Sequence, residues 1–240
     1  MNLDFLEQNF SNIENSLSYY YKDYDYLKYM EKVPKSRYHT FKYCLEEFDK
    51  NNFRTVVELG TTRSYVEGRF EGCMSFDTKY WEPNNPEKWD WSAGVFTKTF
   101  AECLKNIADL DFHTVDINQN HINISKYMTK EYSFMKYHTS SSEDFLNNFK
   151  GKIDFIYLDT GDLVPLEPTA ELHFRETKII VERDLISEYG LILIDDVRSL
   201  APYQSGYNIM YGKGCLSIPY FLENGFKMVM DEYQCILQKM

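Results

Sequence analysis

Carboxylates close a series of short apolar runs. Glu58 ends RTVVE before Gly60, Asp116 ends FHTVD, Asp159 ends IDFIYLD, and Asp195 and Asp196 end GLILIDD. Hydroxyl groups accompany them, with Thr61, Thr62 and Ser64 after Gly60, and Ser140, Ser141 and Ser142 after YSFMKYHT. A tight glycine turn backed by hydroxyls suits a small carboxylate, and an aspartate at a strand end can accept from a ribose diol. Asp159, Asp195 and Asp196 together supply hard oxygen ligands, which suit Mg²⁺, Mn²⁺ or Ca²⁺. Without a cation such carboxylates repel, and one tends to take up a proton. Neighbours in a regular strand point to opposite faces, so Asp195 and Asp196 share an ion only if the chain turns there. A cation so held would acidify a substrate hydroxyl and orient it for attack. The plainer alternative is a set of solvated strand-end acids, with Asp196 capping the next segment.

ELGTTRS contains one glycine, so the dinucleotide fingerprint GxGxxG is absent. Gly60 and Asp116 lie 56 residues apart, against about 20 in the usual nucleotide-binding unit; removing residues 65–92 brings the interval near normal. His173, in ELHFRETKIIVERDL, either reaches the same rim as a general base or is an ordinary helix histidine. Asp23-Tyr24-Asp25 has the Asp-x-Asp pattern of nucleotide-sugar transferases, but its tyrosine-rich setting reads as packing. No GxSxG elbow, P-loop or HExxH occurs, nor an Asn/Asp-Pro-Pro-Tyr segment, which removes the commonest hydrolase, NTPase and zinc-protease readings.

The elements that must position these groups are five β-branched segments at 54–60, 112–118, 132–138, 153–159 and 190–197. Helical stretches at Val95–Ile107, Gln119–Thr129, Glu143–Phe149 and about Thr169–Ser187 separate the later ones. Such alternation predicts a parallel sheet covered on both faces, with ligands outside the carboxyl ends of its strands. GFKMVMDEYQCILQKM reads as an antiparallel hairpin turning near Asp231–Tyr233. The first fifty residues read as helices, with a tyrosine-dense stretch at Tyr19–Met30, Pro34 as a breaker and Ser36 as an N-cap. The expected organisation is a helical extension over 1–50 and one α/β domain over 51–240. Tyr65–Ser92 carries all three tryptophans, plus Pro83 and Pro86, where about two to six residues normally suffice. It reads as a lid over substrate or as a structural insertion against the N-terminal helices.

In this order the segments resemble the class I S-adenosylmethionine-dependent methyltransferases over roughly residues 54–240. VVELGTTRSY is similar to their first motif, TVDIN to the strand that supplies the ribose acid, and YHTSSSEDFL to the adenine-contacting segment. The most similar subgroup is the metal-dependent, macrocin-type small-molecule O-methyltransferases. The resemblance implies a Rossmann-like doubly wound, mostly parallel seven-stranded sheet closed by the hairpin. It implies S-adenosyl-L-methionine held by Glu58, Gly60, Thr61, Thr62 and Ser64 on the first strand. Asp116 and Ile117, Ser141 and Ser142, and Asp159 follow on the next ones. It also implies a divalent cation, Mg²⁺ foremost, on Asp159, Asp195 and Asp196. Asp159, Asp196 or His173 would then act as catalytic groups. The sequence departs from the pattern at Asp159-Thr160-Gly161-Asp162, where the subgroup often has Asp-Gly-Asp-His.

Composition narrows the setting. The 240 residues carry a net charge of −11, which argues against a polyanion such as nucleic acid as the main partner. No run of about 18 uncharged apolar residues exists, and MNLDFLEQNFSNIEN is acidic where a signal peptide would be basic and apolar. Cys44, Cys73, Cys103, Cys215 and Cys235 form no CxxC pair, as expected of reduced thiols in a cytoplasmic protein. The expectation is therefore a cytoplasmic enzyme that methylates a hydroxyl of a small-molecule acceptor, away from membranes, with a homo-oligomer allowed. Its rivals are a metal-dependent glycosyl- or nucleotidyl-transferase, which would draw on Arg63, Arg69 and Arg198, and a non-catalytic cofactor-binding protein of the same fold.

Overall fold

The computed structural model describes residues 1–10, 19–21, 32–34, 37–62, 96–162, 165–197 and 209–240. The N-terminal part contributes α1 (Leu3–Phe10), a two-stranded antiparallel ribbon of β1 (Tyr19–Tyr21) and β2 (Lys32–Pro34), and α2 (Tyr38–Lys50). Strand and helix then alternate: β3 (Thr55–Leu59), α3 (Phe96–Leu104), β4 (Asp111–Asp116), α4 (Gln119–Met128), β5 (Met135–Thr139), α5 (Ser142–Asn148), β6 (Ile153–Leu158), α6 (Leu166–Glu182) and β7 (Ile186–Ile194). A 3₁₀ turn (Ile209–Gly214), α7 (Ser217–Glu223), β8 (Phe226–Asp231) and β9 (Cys235–Lys239) complete the chain.

Seven strands form one sheet in the order β5-β4-β3-β6-β7-β9-β8, and β9 alone runs against its neighbours. This is the doubly wound, Rossmann-like sheet with its C-terminal antiparallel pair. Period-two side chains assign the two faces. Val56, Phe112, Phe155 and Leu191 pack with α1, α2 and α3 through Leu6, Phe41, Leu45, Phe48 and Phe100. Val57, Val115, Ile156 and Ile192 pack on the other side with Leu146, Ile180, Ile218 and Phe221 of α5, α6 and α7. Phe96 stacks on Phe100 and on Tyr157, with ring centroids 4.0 and 4.4 Å apart. The N-terminal helices thus share a core with the sheet.

Some elements differ from the sequence reading. Tyr19–Tyr21 pairs as a strand within the tyrosine-dense stretch expected to be helical, in keeping with the preference of aromatic residues for a pleated backbone. β7 begins at Ile186, four residues before the expected GLILI. Its early part carries Tyr189 at φ +61° and a register shift against β6, so Glu188-Tyr189-Gly190 looks like a turn although pairing with β6 starts at Ile186 and resumes at Leu191. Ser36, Asp23-Tyr24-Asp25, Ser64 and the Tyr65–Ser92 excursion lie outside the described residues. Cys44, Cys103, Cys215 and Cys235 are buried thiols. Among the described residues, no helix is long and apolar enough to cross a membrane.

Candidate functional site

Sheet order reverses between β3 and β6, from which the chain winds outward in both directions. Ligands of such sheets bind in the crevice at that switch point, outside the carboxyl ends of the strands. Backbone hydrogen bonds run past the strand ends and hold the rim in register: Gly60 N–H to Val115 O, 2.9 Å; Asp159 N–H to Leu59 O, 2.9 Å; Asp195 N–H to Leu158 O, 3.1 Å. The rim therefore gathers Gly60–Thr62, Asp116–Ile117, Ser140–Ser142, Asp159 and Asp195–Asp196, as the sequence pattern predicts.

Gly60 has a structural duty. Its φ is +84°, and a Cβ there would overlap the carbonyl oxygen of Asp159. The missing side chain thus makes room for the neighbouring strand end, where the sequence reading gave it the cofactor. Glu58 likewise turns inward. It is 1% exposed and accepts from Thr97 Oγ1 at 2.7 and 2.8 Å and from Thr114 Oγ1 at 2.6 Å. Burial pushes its carboxyl up to about 8. Through these threonines it fixes the floor of the turn beneath Gly60. Thr61 Oγ1 joins the same cluster, within 3.2 Å of Thr97 Oγ1. Thr62 Oγ1 is buried and has no partner among the described residues, so a hydroxyl is left over at the head of the crevice.

Asp116 stands at the end of β4. Its Oδ1 accepts from Asn118 N–H at 2.7 Å and its Oδ2 from Thr61 N–H at 3.3 Å. His121 Nδ1, in the first turn of α4, lies 3.2 Å from the same Oδ2. A carboxylate has about four acceptor positions, so one remains for a ribose hydroxyl, and taking both hydroxyls requires His121 to swing away. His121 was missed in the sequence; a histidine five residues after a strand-end acid, on the following helix, is its only signal. Ile117, beside Asp116, is 77% exposed, an apolar side chain on the outer rim. Ser141 is the N-cap of α5, accepting from Asp144 N–H at 3.0 Å. Ser142 is buried and donates to Glu176 Oε1, which also accepts from Thr160 Oγ1 at 2.8 Å. These bonds account for both serines within the fold, and Ser140 is left nearer the rim. Burial pushes Glu176 up to about 7.

The three aspartates do converge, with one oxygen of each within 4.8 Å of the others. Asp196 has φ +53°, a left-handed turn that aspartate tolerates, and this bend brings adjacent carboxylates together at the end of β7. Cationic side chains are already among them. Lys213 Nζ lies 3.0 Å from Asp159 Oδ1 and 2.9 Å from Asp196 Oδ2. Arg37, at the N-cap position of α2, grips Asp195 with two bonds, Nε to Oδ1 at 3.1 Å and Nη2 to Oδ2 at 2.7 Å. Gln234 Nε2 donates to Asp195 Oδ1 at 2.8 Å, and Tyr233 OH donates to Asp196 Oδ1. Burial pushes Asp159 up to about 7 against the pull of Lys213. Asp196 is held well below the usual carboxylate range, the Lys213 and Arg37 charges overcoming its burial. Lys213 stays charged because the three carboxylates outweigh its desolvation. The oxygens have the right chemistry for a hard cation, yet with Lys213 seated between two of them they do not fit a divalent ion.

Lys213 was not singled out in the sequence, where YGKGC looks like a loop. Gly212, at φ +46°, lets the 3₁₀ turn press on β7, since a Cβ there would overlap the carbonyl oxygen of Asp196. His173 is fully buried in α6, with Nε2 2.9 Å from Thr160 O. Burial pulls it down to about 4, and it sits beneath the rim, against the backbone of the residue that follows Asp159, rather than among the rim carboxylates.

No family model and no curated protein matches the sequence. Among solved structures, the fold is similar to that of the S-adenosylhomocysteine-bound Podospora anserina methyltransferase PaMTH1, with 15% identity and a TM-score of 0.53, covering 85% of this chain and 78% of that one. It is also similar to a Klebsiella pneumoniae protein described as an O-methyltransferase, with 11% identity and a TM-score of 0.51, covering 84% of this chain and 80% of that one.

Proposed function

We propose that the chain transfers a methyl group from S-adenosyl-L-methionine to a hydroxyl of a small-molecule acceptor. The observation that carries this reading is the switch-point crevice, where Asp116 with its remaining acceptor position and Asp159 end the two strands that flank β3. Asp116 would take a ribose hydroxyl, Ile117 would cover an adenine face, and the Thr62 hydroxyl, without a partner among the described residues, would gain one. When bound, the cofactor supplies an activated methyl group on a sulfonium. The chain's own work is then alignment, which accounts for much of the rate of such a transfer. Asp159 is placed to receive the proton of the acceptor hydroxyl, while Tyr157 OH, 3.3 Å from its Oδ2, and Lys213 hold it in place. Lys213 and Arg37 already occupy the acids that a divalent cation would bind. A small-molecule acceptor, a cytoplasmic setting and independence of nucleic acid belong to the same reading.

Calorimetry with S-adenosylhomocysteine tests it directly. The wild-type chain is expected to bind one equivalent, and Asp116→Ala to weaken binding by about 1.5–3 kcal/mol, the worth of a charge-assisted hydrogen bond. Binding of a nucleotide sugar in its place would favour the glycosyltransferase rival. Wild-type affinity in Asp116→Ala would show the cofactor pocket to be misplaced.

A further inference from the structure

We infer that Lys213 is a resident cation: its ammonium takes the place between Asp159 and Asp196 that a divalent ion would need, so the site operates without metal. The site's activity rests on the methyl transfer proposed for it; the charge arrangement stands by itself. Three carboxylates from two strand ends meet two cationic side chains, one from α2 and one from the 3₁₀ turn. Lys213 is 3% exposed, so its charge has little solvent to fall back on and is held by those acids. Its backbone is fixed as well as its tip. The N–H of Lys213 reaches Asp196 O at 3.5 Å, and a Cβ on Gly214 would crowd Ile218 and lie tight against Ile194. The lysine is therefore set into the end of β7 rather than laid over it. Arg37 completes the neutralisation at Asp195, and its guanidinium lies 5.0 Å from the Tyr233 ring centroid. A dication entering this cluster would meet an ammonium already bonded to two of its three ligands. Removing that ammonium should uncover the hard-oxygen site.

Mn²⁺ alone is the probe, titrated into chelator-treated full-length protein and followed by the electron paramagnetic resonance of the free ion and by melting temperature. Wild type is expected to take up no Mn²⁺ at the cluster and to melt at the same temperature with or without it. Lys213→Ala is expected to bind one ion at least about tenfold more tightly than wild type, which is 1.4 kcal/mol or more. Its lowered melting temperature should recover on adding Mn²⁺, since a ligand of the folded state stabilises it. Adding Asp159→Asn to that variant should abolish the gain. One Mn²⁺ bound per wild-type chain and lost in Asp159→Asn would overturn the inference, as would a folded Lys213→Ala that binds none. If Lys213→Ala does not fold, the wild-type titration decides alone. S-adenosylhomocysteine binding is read in a separate titration, so its failure would count against the methyltransferase reading and leave the Mn²⁺ result standing.

Discussion

On the β3–β4 side of the rim, Asp116 is met by backbone N–H groups and a histidine, and Ile117 stands exposed beside it. On the β6–β7 side, Asp159, Asp195 and Asp196 are met by Lys213 and Arg37. Both sides place aspartates at strand ends, but they balance charge differently. Backbone donors leave a carboxylate its charge and some acceptor capacity, which suits a ligand that brings hydroxyls. Buried cations offset two of the three carboxylate charges and fix most of the lone pairs, which suits a wall that holds its shape and keeps Asp159 in place to take a proton. Like residue types at like positions thus do different work, and the partner supplied by the rest of the fold decides which.

The comparison breaks most visibly at Arg37. Arg37→Ala leaves Asp195, 1% exposed, without its bidentate partner, and removing one member of a buried pair costs about 3–5 kcal/mol. Urea unfolding should register that loss, and a change under about 1 kcal/mol would mean the pair is not desolvated as described. Gly60→Ala comes next. It sets a Cβ against the Asp159 carbonyl at a positive φ, so about 2–4 kcal/mol should be lost through left-handed strain and overpacking. Equal stability of this variant and wild type would remove the close approach of β3 and β6.

The smallest effect lies at the seam between the two sides. Glu176 joins Ser142, beyond β5, to Thr160, beyond β6. Its folded-state value is raised from 4.5 to about 7 by burial, so the neutral form is the one the fold favours. Its contribution is full below about pH 4.5 and is lost as pH rises through 7. Glu176→Gln should flatten the decline in stability across that window by on the order of 1–2 kcal/mol. Melting curves at pH 5, 6, 7 and 8 for both proteins check this, and parallel declines would assign the effect elsewhere, with Glu58 the first alternative.

Much of this was legible in the sequence because its cause is local. Val56-Val57, Phe155-Ile156 and Leu191-Ile192 each divide between the two faces, and the acid after each run marks a rim position. Asp195 and Asp196 were readable as a pair needing a bend, and the bend is there. The cations were not legible, because Arg37 and Asp195 are 158 residues apart and nothing local marks the arginine. Lys213 was hidden by its glycines, which resemble loop spacers until the end of β7 is seen beneath them. The burial of His173 was hidden for a related reason: helical spacing says which residues share a stripe, but not that this stripe is turned wholly inward.

Gln234, in the final turn, donates to Asp195, and Thr40 of α2 donates to Gln234. A contact spanning 194 residues means that α2 waits for a residue far along the polypeptide before its polar partners are complete. During synthesis at about 5–20 residues per second, that delay is on the order of ten seconds or more. Until then the Asp195 carboxylate lacks the Gln234 bond that ties it to Thr40 of α2.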